Sequence, residues 1–148
     1  MNFQPEIETM AREELEALQL ERLKQMAVYC YEHIDFYRSS FDRAGVDPRS
    51  IETLSDLRKF PFTVKQDLRD NYPFGMWAIS PREAVRVHAS SGTTGQATVV
   101  GYTPHDLDVW SDCFARDIAS TGHGPDSVLQ ICYGYGLFTG GMGADGGG

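Results

Sequence analysis

The sequence predicts an α/β fold: a mainly helical N-terminal region, then a β-hairpin around a Ser/Thr/Gly turn, a helix and a strand. Three observations carry this expectation. Apolar residues recur at three- and four-residue steps over residues 8–37. Two alternating, β-branched runs flank a hydroxyl- and glycine-rich turn between residues 85 and 102. A helical stretch and a short apolar run follow, completing a strand–helix–strand order.

The elements follow in order. Leu15, Leu18, Leu23, Met26, Ala27, Cys30 and Ile34 share a helical spacing, with Glu and Arg between them, which reads as one long amphipathic helix from about residue 8 to 37. Thr9 precedes it, and Arg12-Glu13-Glu14 give its first turns acidic residues. Packing into a core is the plain reading of this helix; binding a partner is the alternative. Ala44-Gly45-Val46-Asp47-Pro48 is a loop. Ser50 to Phe60 forms a short helix with Ser55 as N-cap, ended by Pro61. Thr63 caps a second short helix through Asp70, which breaks before Pro73. Val85-Arg86-Val87-His88-Ala89 alternates as a strand, and Thr98-Val99-Val100-Gly101-Tyr102 is a second that pairs with it. Thr103-Pro104 opens a helix with proline at its first position. Leu107, Trp110, Phe114 and Ile118 lie on one face, and Asp106, Asp108, Asp112 and Asp117 off it. Gly122 and Gly124 end it. Val128-Leu129-Gln130-Ile131-Cys132 reads as a short strand.

Domain organisation divides into a mainly helical region, 1–82, and an α/β region, 83–148. A length of 148 residues suits one ordinary domain, yet eight of the fifteen glycines fall in the last fifteen residues. A compact domain rarely stops in such a run, so the α/β region is expected to be truncated. Thirteen basic and twenty-one acidic residues give a net charge of −8, ten basic against fourteen acidic in residues 1–80 and three against seven in 81–148. Neither half is a basic patch, which speaks against nucleic acid and against a basic membrane anchor. No apolar run is long enough to span a bilayer, and the N-terminus lacks the pattern of a signal peptide. Cys30, Cys113 and Cys132 are odd in number and far apart, which fits reduced thiols in a cytoplasmic protein.

Ser90-Ser91-Gly92-Thr93-Thr94-Gly95 is the most informative stretch. Glycines let successive N–H groups turn inward as a concave anion site, and hydroxyls add hydrogen bonds to phosphate oxygens. The spacing is not that of a P-loop, and a solvated hairpin turn has the same composition. Tyr133, Tyr135 and Phe138 follow an apolar run and by themselves read first as core, with a pocket wall as the alternative. Lys65 either reaches a phosphate or covers the solvated face of a short helix. His88 reads as a structural hydrogen-bonder rather than a base, and His33, His105 and His123 have no metal-ligand spacing.

Val87 to Gly95, followed by Thr98-Val99-Val100-Gly101-Tyr102-Thr103, resembles the Ser/Thr/Gly motif of adenylate-forming enzymes. Within them it is most similar to the phenylacetate–coenzyme A ligases. Phe60 to Gly75 and Tyr133 to Gly141 resemble two further stretches of those ligases, in the same order. The resemblance implies ATP-dependent adenylation of an aryl carboxylate such as phenylacetate, then thioester formation with coenzyme A. It implies that Ser90, Ser91, Gly92, Thr93, Thr94 and Gly95 hold ATP phosphates, with Lys65 as a further candidate and Mg²⁺ assisting. Ser91, Thr93 and Thr94 are the preferred hydroxyls. It implies an aryl pocket formed by Tyr133, Tyr135, Phe138, Gly140 and Gly141, and suggests a homodimer. Gln96-Ala97-Thr98 departs from the Lys-Pro-Thr common in the family, losing a positive charge and a stiffening proline. The acidic Mg²⁺ ligand, the ribose-binding aspartate and the catalytic lysine of the family are absent, and no catalytic residue is assigned. The chain alone is therefore expected to be inactive. A non-enzymatic binding module or a phosphate-binding remnant are the alternatives.

Overall fold

The computed structural model describes residues 2–90, 97–137 and 140–146. The chain divides into two compact units, one of Ala11–Ser80 and one of Met1–Met10 with Pro81–Gly148.

In the Ala11–Ser80 unit, helix α2 (Arg12–His33) is followed at once by α3 (Asp35–Ala44). The single helix expected to residue 37 is thus broken at Ile34, which is extended at φ −126° and ψ 109°. Ile34 is β-branched and buried, and Arg38 supports the corner by reaching back from α3. Its Nη2 donates to the Glu32 carbonyl at 2.7 Å and its Nε to the Tyr31 carbonyl at 3.2 Å. These carbonyls are among those that the end of α2 leaves open. Ala11, not Thr9, stands at the N-cap of α2 and makes no side-chain cap. The Thr9 hydroxyl donates instead to the Pro5 carbonyl of α1 (Pro5–Glu8), a helix the sequence reading missed.

Phe41 is the centre of this unit's core, with Ala27, Ile34, Pro48 and Ile51 also buried. Phe60 meets the Phe41 ring edge-on at 4.9 Å, and Tyr37 lies at 5.8 Å. Met26, expected on the inner face, is exposed. The helix expected over Ser50–Phe60 is two 3₁₀ turns, Pro48–Ser50 and Leu54–Lys59. The cap of the second is Thr53, not Ser55, because Asp56 accepts from the N–H groups of Thr53 at 2.8 Å and Glu52 at 3.0 Å. Likewise the cap of α4 (Lys65–Asp70) is Val64, one residue after the expected Thr63. Asp67 accepts from the Val64 N–H at 2.7 Å, while the Thr63 hydroxyl donates to Tyr37 at 3.2 Å.

In the other unit, β1 (Arg86–Ala89) and β2 (Val99–Tyr102) pair antiparallel, with Arg86 opposite Tyr102 and Ala89 opposite Val99. This is the expected hairpin. Helix α5 (Pro104–Ser120) is capped reciprocally by Thr103 and Asp106, and Pro104 opens it. The aspartates placed off its apolar face are exposed as expected. The strand expected at 128–132 is irregular, and Val128 is almost fully exposed. Among the described residues the sheet has only β1 and β2, so this apolar run has no ladder to join. The outer edge of β1 receives Leu137 instead, whose carbonyl accepts from the Ala89 N–H at 2.9 Å. The glycine-rich stretch then forms α6 (Gly140–Asp145).

Asp56 gives a testable pH dependence. A hydrogen bond from Lys59 at 2.6 Å, and those from the Thr53 and Glu52 backbone, hold its carboxyl well below the usual carboxylate range. A depressed value stabilises the fold above the unfolded-state value and loses that contribution as pH falls through the folded one. Asp56→Asn should lower the thermal midpoint at pH 7, and the gap to wild type should narrow steadily on acidification. Melts followed by circular dichroism across pH 7 to 2 check this.

Candidate active site

The described residues nearest the predicted phosphate loop form its neck. Ser90 donates its N–H to the Thr98 carbonyl at 3.0 Å, and the Thr98 N–H donates to Ser90 Oγ at 3.0 Å. The two bonds pin the ends of segment 91–96 together and leave the Ser90 hydroxyl hydrogen free to donate elsewhere. Ser91, Gly92, Thr93, Thr94 and Gly95 lie outside the described residues, as does Phe138. Lys65 belongs to the Ala11–Ser80 unit and is exposed at the start of α4.

The remaining predicted pocket residues gather around α6. Tyr133 and Tyr135 are exposed by 73% and 58% in this chain. The Tyr133 ring lies along Gly140, where an added Cβ would stand 3.4 Å from Cδ1. Tyr135 donates its hydroxyl to Asp145 at 3.2 Å, and partial burial together with that carboxylate pushes the phenol above its ordinary value. Gly141 is buried against backbone, with an added Cβ only 3.0 Å from the Gly134 carbonyl oxygen.

A cluster the sequence reading did not assemble fixes this arrangement. His88 is 1% exposed, and its ring meets Tyr102 and Trp110 edge-on, each at 5.5 Å. Tyr102 and Trp110 lie 5.0 Å apart, and burial raises the Tyr102 hydroxyl, with Asp106 adding to it. A Cβ on Gly143 would fall inside the Trp110 indole. The His88 Nδ1–H donates to the Leu137 carbonyl at 3.1 Å, and Arg86 donates to the Met142 carbonyl at 3.3 Å. Strand alternation puts Arg86 and His88 on one face, and this was the available signal. The contribution of Trp110, twenty-two residues further on, has no local signature.

Set against known proteins, the chain matches no protein-family model. It is 56% identical over 147 residues to a phenylacetate-coenzyme A ligase of Thermus thermophilus, covering 99% of this chain and 33% of that protein. To the ligase of the same name from Escherichia coli it is 54% identical over 138 residues, covering 93% of this chain and 32% of that protein. The chain is homologous to these phenylacetate-coenzyme A ligases over the part of their length that it spans. It spans about a third of the length of the curated relatives it matches. Among solved structures, 2-hydroxyisobutyryl-CoA ligase in complex with 2-HIB-AMP and CoA superposes at a TM-score of 0.87 and 30% identity, covering 97% of this chain and 34% of that one. The same ligase in its thioesterification state gives a TM-score of 0.88 and 32% identity. The fold is accordingly that of the N-terminal part of an adenylate-forming CoA ligase.

Gly143 tests the packing of this segment. Gly143→Ala forces a methyl into the Trp110 ring and should destabilise the chain by about 1–3 kcal/mol. Gly140→Ala meets only an ordinary contact with Tyr133 and should change stability by less than about 0.5 kcal/mol. Urea denaturation of the two variants separates these outcomes.

Proposed function

We propose that the chain supplies the phosphate-loop and part of the aryl-pocket machinery of an aryl-acid CoA ligase, with phenylacetate as the preferred acid. The carboxylate attacks the α-phosphate of ATP, giving an acyl-adenylate and releasing pyrophosphate. The coenzyme A sulfur then displaces AMP and leaves the thioester. The identity to phenylacetate-coenzyme A ligases over nearly the whole chain is the observation that carries this reading.

The first step sets an anion against an anion, so the site must spread donors over the phosphates and hold the acid in line. Loop 90–95 is assigned the β- and γ-phosphates: Ser91, Thr93 and Thr94 through hydroxyls, Gly92 and Gly95 through backbone N–H groups, and Ser90 as the residue that closes the neck. Lys65 remains a candidate for a phosphate contact. The faces of Tyr133 and Tyr135 suit an aryl ring, and Phe138, Gly140 and Gly141 complete the assigned pocket. Mg²⁺ would enter bound to the nucleotide phosphates. Among the described residues no three acidic, thiol or imidazole groups converge to hold it. We assign the chain to a soluble, cytoplasmic ligase; among the described residues no helix is long and apolar enough to cross a membrane. A homodimer is its expected assembly, and residues 83–148 are read as the first part of its AMP-binding domain.

The protein carrying these residues should release pyrophosphate from ATP in the presence of phenylacetate, and should release AMP with sustained turnover only when coenzyme A is added. Absence of pyrophosphate with phenylacetate and with related aryl acids overturns the substrate assignment. Gln96→Lys restores the flanking charge and should lower the KM for ATP by up to about fivefold, leaving the KM for the acid unchanged. Steady-state kinetics with each substrate varied in turn measures both.

A further inference from the structure

We propose that His88 is a positioning residue, which through its Nδ1–H fixes the Leu137 carbonyl and so sets stretch 133–137 against the strand leading into the phosphate loop. The inference rests on the aryl-acid ligase reading above. Nδ1 lies 3.1 Å from the Leu137 carbonyl oxygen. A carbonyl oxygen only accepts, so Nδ1 carries the hydrogen. The same oxygen accepts from the Ala89 N–H at 2.9 Å. One carbonyl thus receives two donors from consecutive residues, one of the backbone and one of a side chain. A single bond would leave the Leu137 peptide free to tilt about it, whereas two fix its direction as well as its distance.

The imidazole is itself fixed. Tyr102 and Trp110 meet it at interplanar angles of 78° and 67°, and Trp110 rests on the bare backbone of Gly143. Rotation of the ring would displace the indole from α6. Nε2 is buried and finds no hydrogen-bond partner among the described residues. A ring needed only for packing would be better apolar, because a bare buried acceptor is unfavourable. The Nδ1 donor is what distinguishes histidine from phenylalanine here. The direct beneficiary is the stretch bearing Tyr133 and Tyr135, while Ser90 and Thr98 separately hold the neck of the loop. Loss of the Nδ1 donor should therefore be felt by the aryl acid more than by ATP.

The test uses three variants of the protein carrying these residues. The amide nitrogen of His88→Asn falls near the place of Nδ1, that of His88→Gln near Nε2, and His88→Phe keeps only the ring. His88→Phe should raise the KM for the aryl acid about tenfold, with the KM for ATP within about twofold of wild type. His88→Asn should recover most of that loss and His88→Gln should not. Hydrogen exchange at the Ala89 amide should be faster in the Phe variant and near wild type in the Asn variant. A parallel rise in both KM values, or rescue by Gln and not Asn, overturns the assignment. If wild type shows no aryl-acid-dependent turnover, it is the proposed function that fails. Exchange at Ala89 then still decides the clamp, and equal exchange in all variants overturns it.

Discussion

The fit of Trp110 onto the bare backbone of α6 is the constraint on which the sheet-bearing unit depends. A two-stranded hairpin is marginal by itself and needs a packed face. Here that face is His88 and Tyr102, and Trp110 of α5 closes over both. The indole can do so only because residue 143 has no side chain. Gly141 makes a second close approach, to the Gly134 carbonyl. The glycines are therefore used for contact between backbone and ring and between backbone and backbone. They bring the segment bearing Tyr133 and Tyr135 beside β1, and the tyrosines stay exposed while the glycines are buried. Glycine is a poor helix former, and α6 exists where it does through tertiary packing.

In the Ala11–Ser80 unit, polar groups at element ends decide where the chain turns. Arg38 answers the open carbonyls of α2, Asp56 collects the N–H groups before one 3₁₀ turn, and Asp67 does the same before α4. Each carboxylate sits three residues inside its element and reaches back to the N–H of the residue that opens it, the acceptor half of a capping box. The Arg49–Glu32 ion pair at 2.6 Å is half-exposed on both sides and contributes little by comparison. Apolar contact around Phe41 supplies the cohesion, and these end groups supply the corners.

Elements with a strong local signature were legible from the sequence: the hairpin, the capped helix α5 and the helical character of the first eighty residues. Alternation of β-branched residues and the Thr103-Pro104-x-Asp106 pattern act within a few residues and need no partner. The break at Ile34 was not legible, because helices on both sides of a corner can feed one core and keep the three-four spacing running through it. Strand 128–132 was misread for a related reason, since a short apolar run becomes a strand only where a ladder is available. Ser55 and Thr63 were misassigned as caps because a hydroxyl is the commoner sign of a cap. Here the decisive atoms belong to Asp56 and Asp67, and only the structure chooses between them. For the site, Ser90 follows a strand the sequence located, whereas Tyr133 and Tyr135 lie in an irregular stretch and the His88–Trp110 contact spans a separation that no local pattern records.

Ser90 also bears on the departure at Gln96-Ala97-Thr98. The family pattern places a positive charge and a proline there, and this chain has neither. The two losses differ physically. A proline at 97 would stiffen the return of the loop by removing backbone freedom. The bonds that pin the neck involve the N–H of Thr98 and both the N–H and hydroxyl of Ser90, none of which a residue at 97 supplies. The neck is thus held by hydrogen bonding whether or not residue 97 is a proline, and the missing proline touches the chain's freedom before folding more than the folded geometry. The missing charge has no such substitute at the neck, where the pinning groups are neutral. Any weakening of the phosphate binding proposed for this loop therefore traces to the charge missing at position 96, since the bonds between Ser90 and Thr98 do not depend on residue 97.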